Sequence, residues 1–171
     1  MDDIPLLSLY AALFVLLIVS AFFSISETSM MALNRYRLKH LAKTGHRGAR
    51  LTTQLLARID QFLGVVLLGN NLINAAVALL VGEIARRYLG GSEFALFVAT
   101  GAAAFAILVF SEITPKVVGA AYPERIALPS SYVLTPLLKL LRPVVWFVNL
   151  FVQSLLWLLR LKPAEAAESK L

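Results

Sequence analysis

The side chains in this sequence that could do chemistry carry oxygen. Glu112 closes an apolar run from Phe94 to Phe110, within Phe110-Ser111-Glu112-Ile113-Thr114-Pro115-Lys116. A carboxylate at membrane depth is costly and usually faces the protein interior or a polar pathway. Pro115 has no N–H, so it cannot donate to the carbonyl of Ser111, four residues back. Ser20 and Ser24 are spaced i, i+4 and share one helix face, and Asn70 and Asn74 share another by the same spacing. A single carboxylate with hydroxyl, amide and carbonyl oxygens suits a hard cation. Magnesium prefers near-octahedral oxygen ligands at about 2.0–2.1 Å and gives up its waters reluctantly. With one formal charge in the set, binding would be modest, as transport requires of an ion that must leave. Sodium accepts similar ligands.

Each of these residues also has a purely structural reading. Serines in membrane helices commonly bond their own i−4 carbonyl or cross-link helices. Asn70 and Asn74 point more firmly to a site, because amides are costly in lipid, whereas Asn71 points elsewhere and serves as a cap or cross-link. Glu27, seven residues after Ser20, fits a cytoplasmic vestibule and an ion pair with a loop arginine equally well. Lys116, one turn after Glu112, either neutralises that carboxylate or reaches for lipid phosphates. His40 and His46 have no metal-ligand spacing, and the absence of cysteine removes thiolate sites and cysteine nucleophiles. There is no HExxH, no GxSxG and no phosphate-binding glycine loop, so the chain is not expected to be an enzyme.

The elements that must hold these residues are membrane helices. Of 171 residues, 59% are hydrophobic and 15% charged, and the mean hydropathy is +0.78. Soluble domains average about 45–50% apolar and about 25% charged. The expected class is an all-α integral membrane protein with three transmembrane helices per protomer and juxtamembrane or re-entrant helices. Span one runs from Ile4 to Phe23; Asp2 and Asp3 precede it where a secretory signal would be basic. Arg35, Arg37, Lys39, Lys43, Arg47, Arg50 and Arg58 then mark a cytoplasmic connection of two short interfacial helices around a turn at Gly45 to Gly48, which places the N-terminus outside. The net charge of +6 follows from that bias, with no nucleic-acid partner implied.

Span two covers about Phe62 to Ile84, interrupted by Gly69-Asn70-Asn71 and Asn74, and Gly90-Gly91 forms a short outer turn. Span three is Phe94 to Phe110, with Ala95, Ala99 and Ala103 as a packing ridge. The alternation out, in, out, in brings the three oxygen-bearing faces to comparable depth in the cytoplasmic half. Beyond Lys116 the prolines at 123, 129, 136 and 143 divide the apolar sequence. Ile126 to Leu138 is too short to span upright and Val144 to Leu159, flanked by Trp146 and Trp157, is marginal. A re-entrant or belt-like juxtamembrane path is expected, with a fourth span as the alternative and a cytoplasmic C-terminus. Pro163 to Leu171 reads as a polar linker or truncation tail.

At these residues the sequence resembles the transmembrane domain of the CNNM/CorC family of magnesium transporters. The motifs are Ser20-Ala21-Phe22-Phe23-Ser24 with Ser26-Glu27-Thr28, Leu68-Gly69-Asn70-Asn71-Leu72-Ile73-Asn74, and Ser111-Glu112-Ile113-Thr114-Pro115-Lys116. The likeness continues through Pro123-Glu124-Arg125 and Pro143-Val144-Val145-Trp146, so residues 1–162 are assigned to this domain. One departure is Ser111, where the family usually has glycine. The resemblance implies a multi-pass homodimer in the plasma (bacterial inner) membrane, each protomer holding Mg2+ in an inward-facing cavity, with efflux coupled to Na+ entry. It implies Ser20, Ser24, Asn70, Asn74, Ser111 and Glu112 as ligand candidates. Family members usually continue into an ATP-binding CBS pair and a small C-terminal domain. Neither follows Leu171, so nucleotide regulation is expected to be absent. A different class of function, a membrane anchor and dimerisation module that senses magnesium without moving it, stands as the alternative.

Overall fold

The computed structural model describes residues 4–161, and among these every regular element is helical. The assignment of residues 163–171 as a linker lies outside the described residues. In chain order the elements are α1 (Leu6–Ala32), α2 (Arg35–Lys43), α3 (Arg47–Ala57), α4 (Ile59–Leu89), α5 (Glu93–Leu108), a π turn (Val109–Ile113), α6 (Thr114–Ala121) and α7 (Pro123–Leu158).

The first two long helices run antiparallel. The Tyr10 hydroxyl donates to that of Tyr88 at 2.9 Å, and the Arg87 guanidinium donates to the carbonyl of Ile4 at 2.6 Å. These bonds tie the start of α1 to the end of α4. At the other end, Phe23 and Met30 of α1 enter a core with Leu38, Ala49, Leu55, Leu56, Phe62, Val66, Ala127, Leu128 and Leu134. The densest packing therefore lies where α1 and α4 meet the two short helices and the first half of α7. Those short helices are well made locally: the Asn34 side chain accepts from the backbone N–H groups of Tyr36 and Arg37, and His46 Nδ1 accepts from that of Ala49. Gly45 takes the positive φ of 96° that the reversal between them needs. The Ser131 hydroxyl reaches the carbonyl of Gly48, joining α3 to α7.

Three sequence expectations need correction. First, α1 does not end near Phe23 but continues to Ala32. Its last turns are polar on paper, yet Ser24, Ser26 and Ser29 are fully buried, and α6 packs along this part of α1 at Ile25, Thr28 and Ser29. Gly119 makes that approach possible: a Cβ there would lie 2.7 Å from the carbonyl oxygen of Ile25 and 3.2 Å from the amide nitrogen of Ser29. Backbone atoms cannot swing away, so Gly119→Ala is expected to lower stability by about 1–3 kcal/mol, the usual range for overpacking. A lowered melting temperature in detergent checks this; no change would mean that α6 can move off α1.

Second, the third span does not stop at Phe110. The rod from Glu93 to Ala121 is helical throughout and changes only its winding, with the Thr114 N–H donating to the carbonyl of Val109, five residues back. Third, the prolines do not break the last segment. Pro129, Pro136 and Pro143 lie inside one 36-residue helix, α7. They recur every seven residues, so they fall on one side of the helix, and that side is exposed. The carbonyls they leave without donors face outward, where other partners can reach them. A helix without a reversal forms no re-entrant hairpin. Four helices, α1, α4, the α5–α6 rod and α7, are therefore long and apolar enough to cross a membrane, against the three expected.

Candidate cation site

The buried face of α4 is a stripe of Phe62, Val66, Val77, Val81 and Ala85. Asn70 and Asn74 fall in its middle, at the same helical spacing, and both are half-buried. Two amides thus occupy positions where packing alone would select aliphatic side chains. Asn71, one residue out of register, is exposed. The α1 face at this level is similar in kind: Ser20 and Ser24 are buried on either side of Phe23. Gly69 sets the register between the helices, since a Cβ there would lie 3.2 Å from the Phe23 ring. Ser24 and Asn70 each follow one member of that contact, so they stand at one level of the α1–α4 interface.

Glu112 arrives from the third side. It belongs to the π turn, which packs against both α1 and α5. Pro115 explains the turn, because its ring cannot tolerate the carbonyl of Ser111 at ordinary helical distance and offers no N–H to it. Local widening is the available response, and such π turns recur at functional sites. The turn buries Ser111 to 2% exposure and carries Glu112 toward α4. There Asn74 Nδ2 donates to Glu112 Oε1 at 3.0 Å, across 38 residues of sequence. Lys116 and Glu27 form no ion pair with any described residue, so neither the Lys116–Glu112 pair nor the Glu27–arginine pair considered from sequence is made. The partner of Glu112 is the amide.

Many hydroxyls in this fold are locally satisfied. Ser29, Thr52, Thr53, Ser130, Thr135 and Ser154 each donate to a carbonyl three or four residues back in their own helix. Ser20 Oγ, Ser24 Oγ and Asn70 Oδ1 behave differently: they are buried and have no hydrogen-bond partner. An unpartnered buried polar atom costs about 1–3 kcal/mol, so its retention needs a reason. The two helices meet at this level with their free oxygens, and the Asn74–Glu112 carboxylate–amide pair joins the same bundle. Ser26 Oγ is a further orphan, not anticipated from sequence. Two residues at about 100° each set it on the opposite side of α1 from Ser24. No spacing rule would have singled it out.

No group of three or more His, Cys, Asp or Glu side chains converges among the described residues. Any cation would therefore be met by one carboxylate and neutral oxygens, the donor set that hard cations accept and softer metals do not select.

Residues 11–170 match the family model of the cyclin M (CNNM) transmembrane N-terminal domain. The chain belongs to that family. Among the relatives of this CNNM domain, a UPF0053 protein of Haemophilus influenzae is 42% identical over 162 residues, covering 95% of this chain and 38% of that protein. The UPF0053 inner membrane protein YfjD of Escherichia coli K12 is 44% identical over 144 residues, covering 84% of this chain and 33% of that protein. A polyamine export protein of Salmonella typhimurium is 29% identical over 153 residues, covering 80% and 33% respectively. The CNNM domain thus spans little more than a third of the length of the curated relatives it matches. With its long apolar helices, it is a multi-pass membrane protein.

Proposed function

We propose that this CNNM domain moves magnesium ions across the inner membrane, outward and coupled to sodium entry, through the site at Glu112, Asn70 and Asn74 with Ser20, Ser24 and Ser111. The observation that carries the proposal is the set of buried, unpartnered oxygens on α1 and α4 at one level, beside the Asn74–Glu112 pair. A cation supplies what those oxygens lack, and a single negative charge holds it weakly enough for release. No enzymatic role is proposed.

The proposed topology has three spans, α1, α4 and the α5–α6 rod, with the N-terminus outside, and α7 as a belt at the cytoplasmic interface. Two features support it. The basic residues of α2 and α3 lie between the first two spans. Lys139 and Arg142 fall near the middle of α7, where a crossing helix would place them at the costliest depth. The domain is further proposed to act as a homodimer, the arrangement that the family resemblance implies.

A second reading rests on a different observation. Glu112 and Asn74 also line a cavity of about 200 Å³ between α4 and α5 whose other walls include Val77, Val81, Ile107 and Leu108. A carboxylate at the end of an apolar cavity suits an alkylammonium ion, the kind of cation that the Salmonella relative's name specifies. Proteoliposomes separate the readings. Magnesium flux that responds to an imposed sodium gradient is the expected result. Flux of labelled putrescine without magnesium flux would favour the organic cation. Magnesium binding with no flux of either would leave the anchor and sensing module.

A further inference from the structure

A second cavity lies on the face where α3 meets the middle of α7. It measures about 320 Å³ and is lined by Gln54, Arg58, Gln61, Thr135, Lys139 and Arg142, with Leu55 and Leu138 beneath. Three cations and two amides converge there, and no acidic side chain among the described residues lines it. Three bases elsewhere in this fold are paired with acids: Arg37 with Glu124 at 2.6 Å, and Arg86 and Arg87 with Glu83. Arg58, Lys139 and Arg142 form no ion pair with any described residue. Asp60, the acid nearest Arg58 in sequence, is exposed and does not line the cavity. The Thr135 hydroxyl already donates to the carbonyl of Ser131 at 2.7 Å, so the free donors are the guanidiniums, the ammonium and the amides.

The surroundings specify the anion further. On the side of α7 that carries Arg142, the next two turns expose Trp146 and Leu150, an apolar edge that continues from the charged groove. A soluble phosphate would use the charges and have no use for that edge. A lipid uses both, with its phosphate among the cations and its acyl chains along the apolar side. Basic pockets between helices at the cytoplasmic face of membrane proteins bind anionic head groups in this way. We propose that the groove formed by Arg58, Lys139 and Arg142 binds the phosphate of an anionic phospholipid, fixing α7 at the membrane surface.

The test uses the protein in neutral detergent, offered equal amounts of phosphatidylglycerol and phosphatidylcholine, with retained lipid read by native mass spectrometry. Phosphatidylglycerol is expected to be retained in preference. Replacing Arg58, Lys139 or Arg142 singly by glutamine should lower its retention about fivefold, and replacing all three about a hundredfold, since each basic residue near such a surface contributes about 1 kcal/mol. The matched triple Arg35→Gln, Lys39→Gln, Lys43→Gln on α2 removes equal charge and should leave retention unchanged. Elution as a single species establishes that each variant is folded, and the exposed single substitutions suffice if the triple is not. Equal retention of the two lipids, equal loss in the α2 triple, or unchanged retention in the groove variants would overturn the proposal. So would displacement of the lipid by millimolar inorganic phosphate, which would make the groove a soluble-anion site.

Discussion

Glu112→Gln is expected to abolish magnesium-dependent stabilisation while leaving the fold intact. Asn74 Nδ2 donates to Glu112 Oε1 at 3.0 Å, and a glutamine keeps a carbonyl oxygen in that position to accept the same bond. The link between α4 and the π turn therefore survives, and the substitution removes the charge alone. That charge is the one formal anion the proposed donor set contains, so the bound cation loses its main compensation. For the native protein, magnesium at a hundred times its Kd should raise stability by about 2.7 kcal/mol. In the variant the gain should fall close to zero. Thermal unfolding in detergent across a magnesium titration, at ionic strength held constant with an organic salt, reads the difference. A full magnesium-dependent shift in Glu112→Gln would remove Glu112 from the site.

The conditions behind that experiment were only partly legible in the sequence. Helical class, membrane residence and the short basic helices α2 and α3 follow from composition and charge, which act locally and survive without tertiary context. The candidate residues stand out for the same reason. A carboxylate or an amide in an apolar run is anomalous wherever the run folds, and i, i+4 spacing assigns a face by geometry alone. The Asn74–Glu112 bond was not legible, because it spans two helices whose relative rotation depends on Gly69 meeting Phe23.

Proline has different consequences in its three settings. At Pro115 it winds the helix into a π turn rather than ending it. At Pro123 it occupies the first turn of α7, where its missing N–H has no consequence. At positions 129, 136 and 143 it lies on an exposed face, so the freed carbonyls remain accessible. Sequence records the lost donor in every case but not which side of the helix the carbonyl faces, and that side decides the outcome. The length of α1 is not legible in the sequence for a related reason. Ser24 to Ser29 look like the end of a span until α6 packs against the α1 backbone at Ile25 and Ser29, an approach that only glycine at 119 permits.

A site made of unpartnered oxygens has an energetic signature that ordinary packing does not. Ser24→Ala removes a buried hydroxyl that has no hydrogen-bond partner, and the cavity left behind is one oxygen atom in size. Without magnesium the variant is therefore expected to be more stable than the native protein by about 1 kcal/mol, the low end of the cost of an unsatisfied buried polar group. With magnesium the order should reverse, because the variant lacks a ligand oxygen and its ion-dependent gain should shrink. Loss of stability in a native protein for the sake of a functional group is the usual stability–activity trade-off. Ser26→Ala supplies the control within the same helix. Its hydroxyl is equally buried and equally unpartnered but lies on the opposite side of α1. It should show the same rise without magnesium and keep the full magnesium response. Unfolding curves of the two variants with and without the ion separate a ligand from an incidental orphan. If Ser24→Ala lowers stability in both conditions, or if both variants lose the magnesium response alike, the Ser20–Ser24 face of α1 is structural and the cation site narrows to α4 and the π turn.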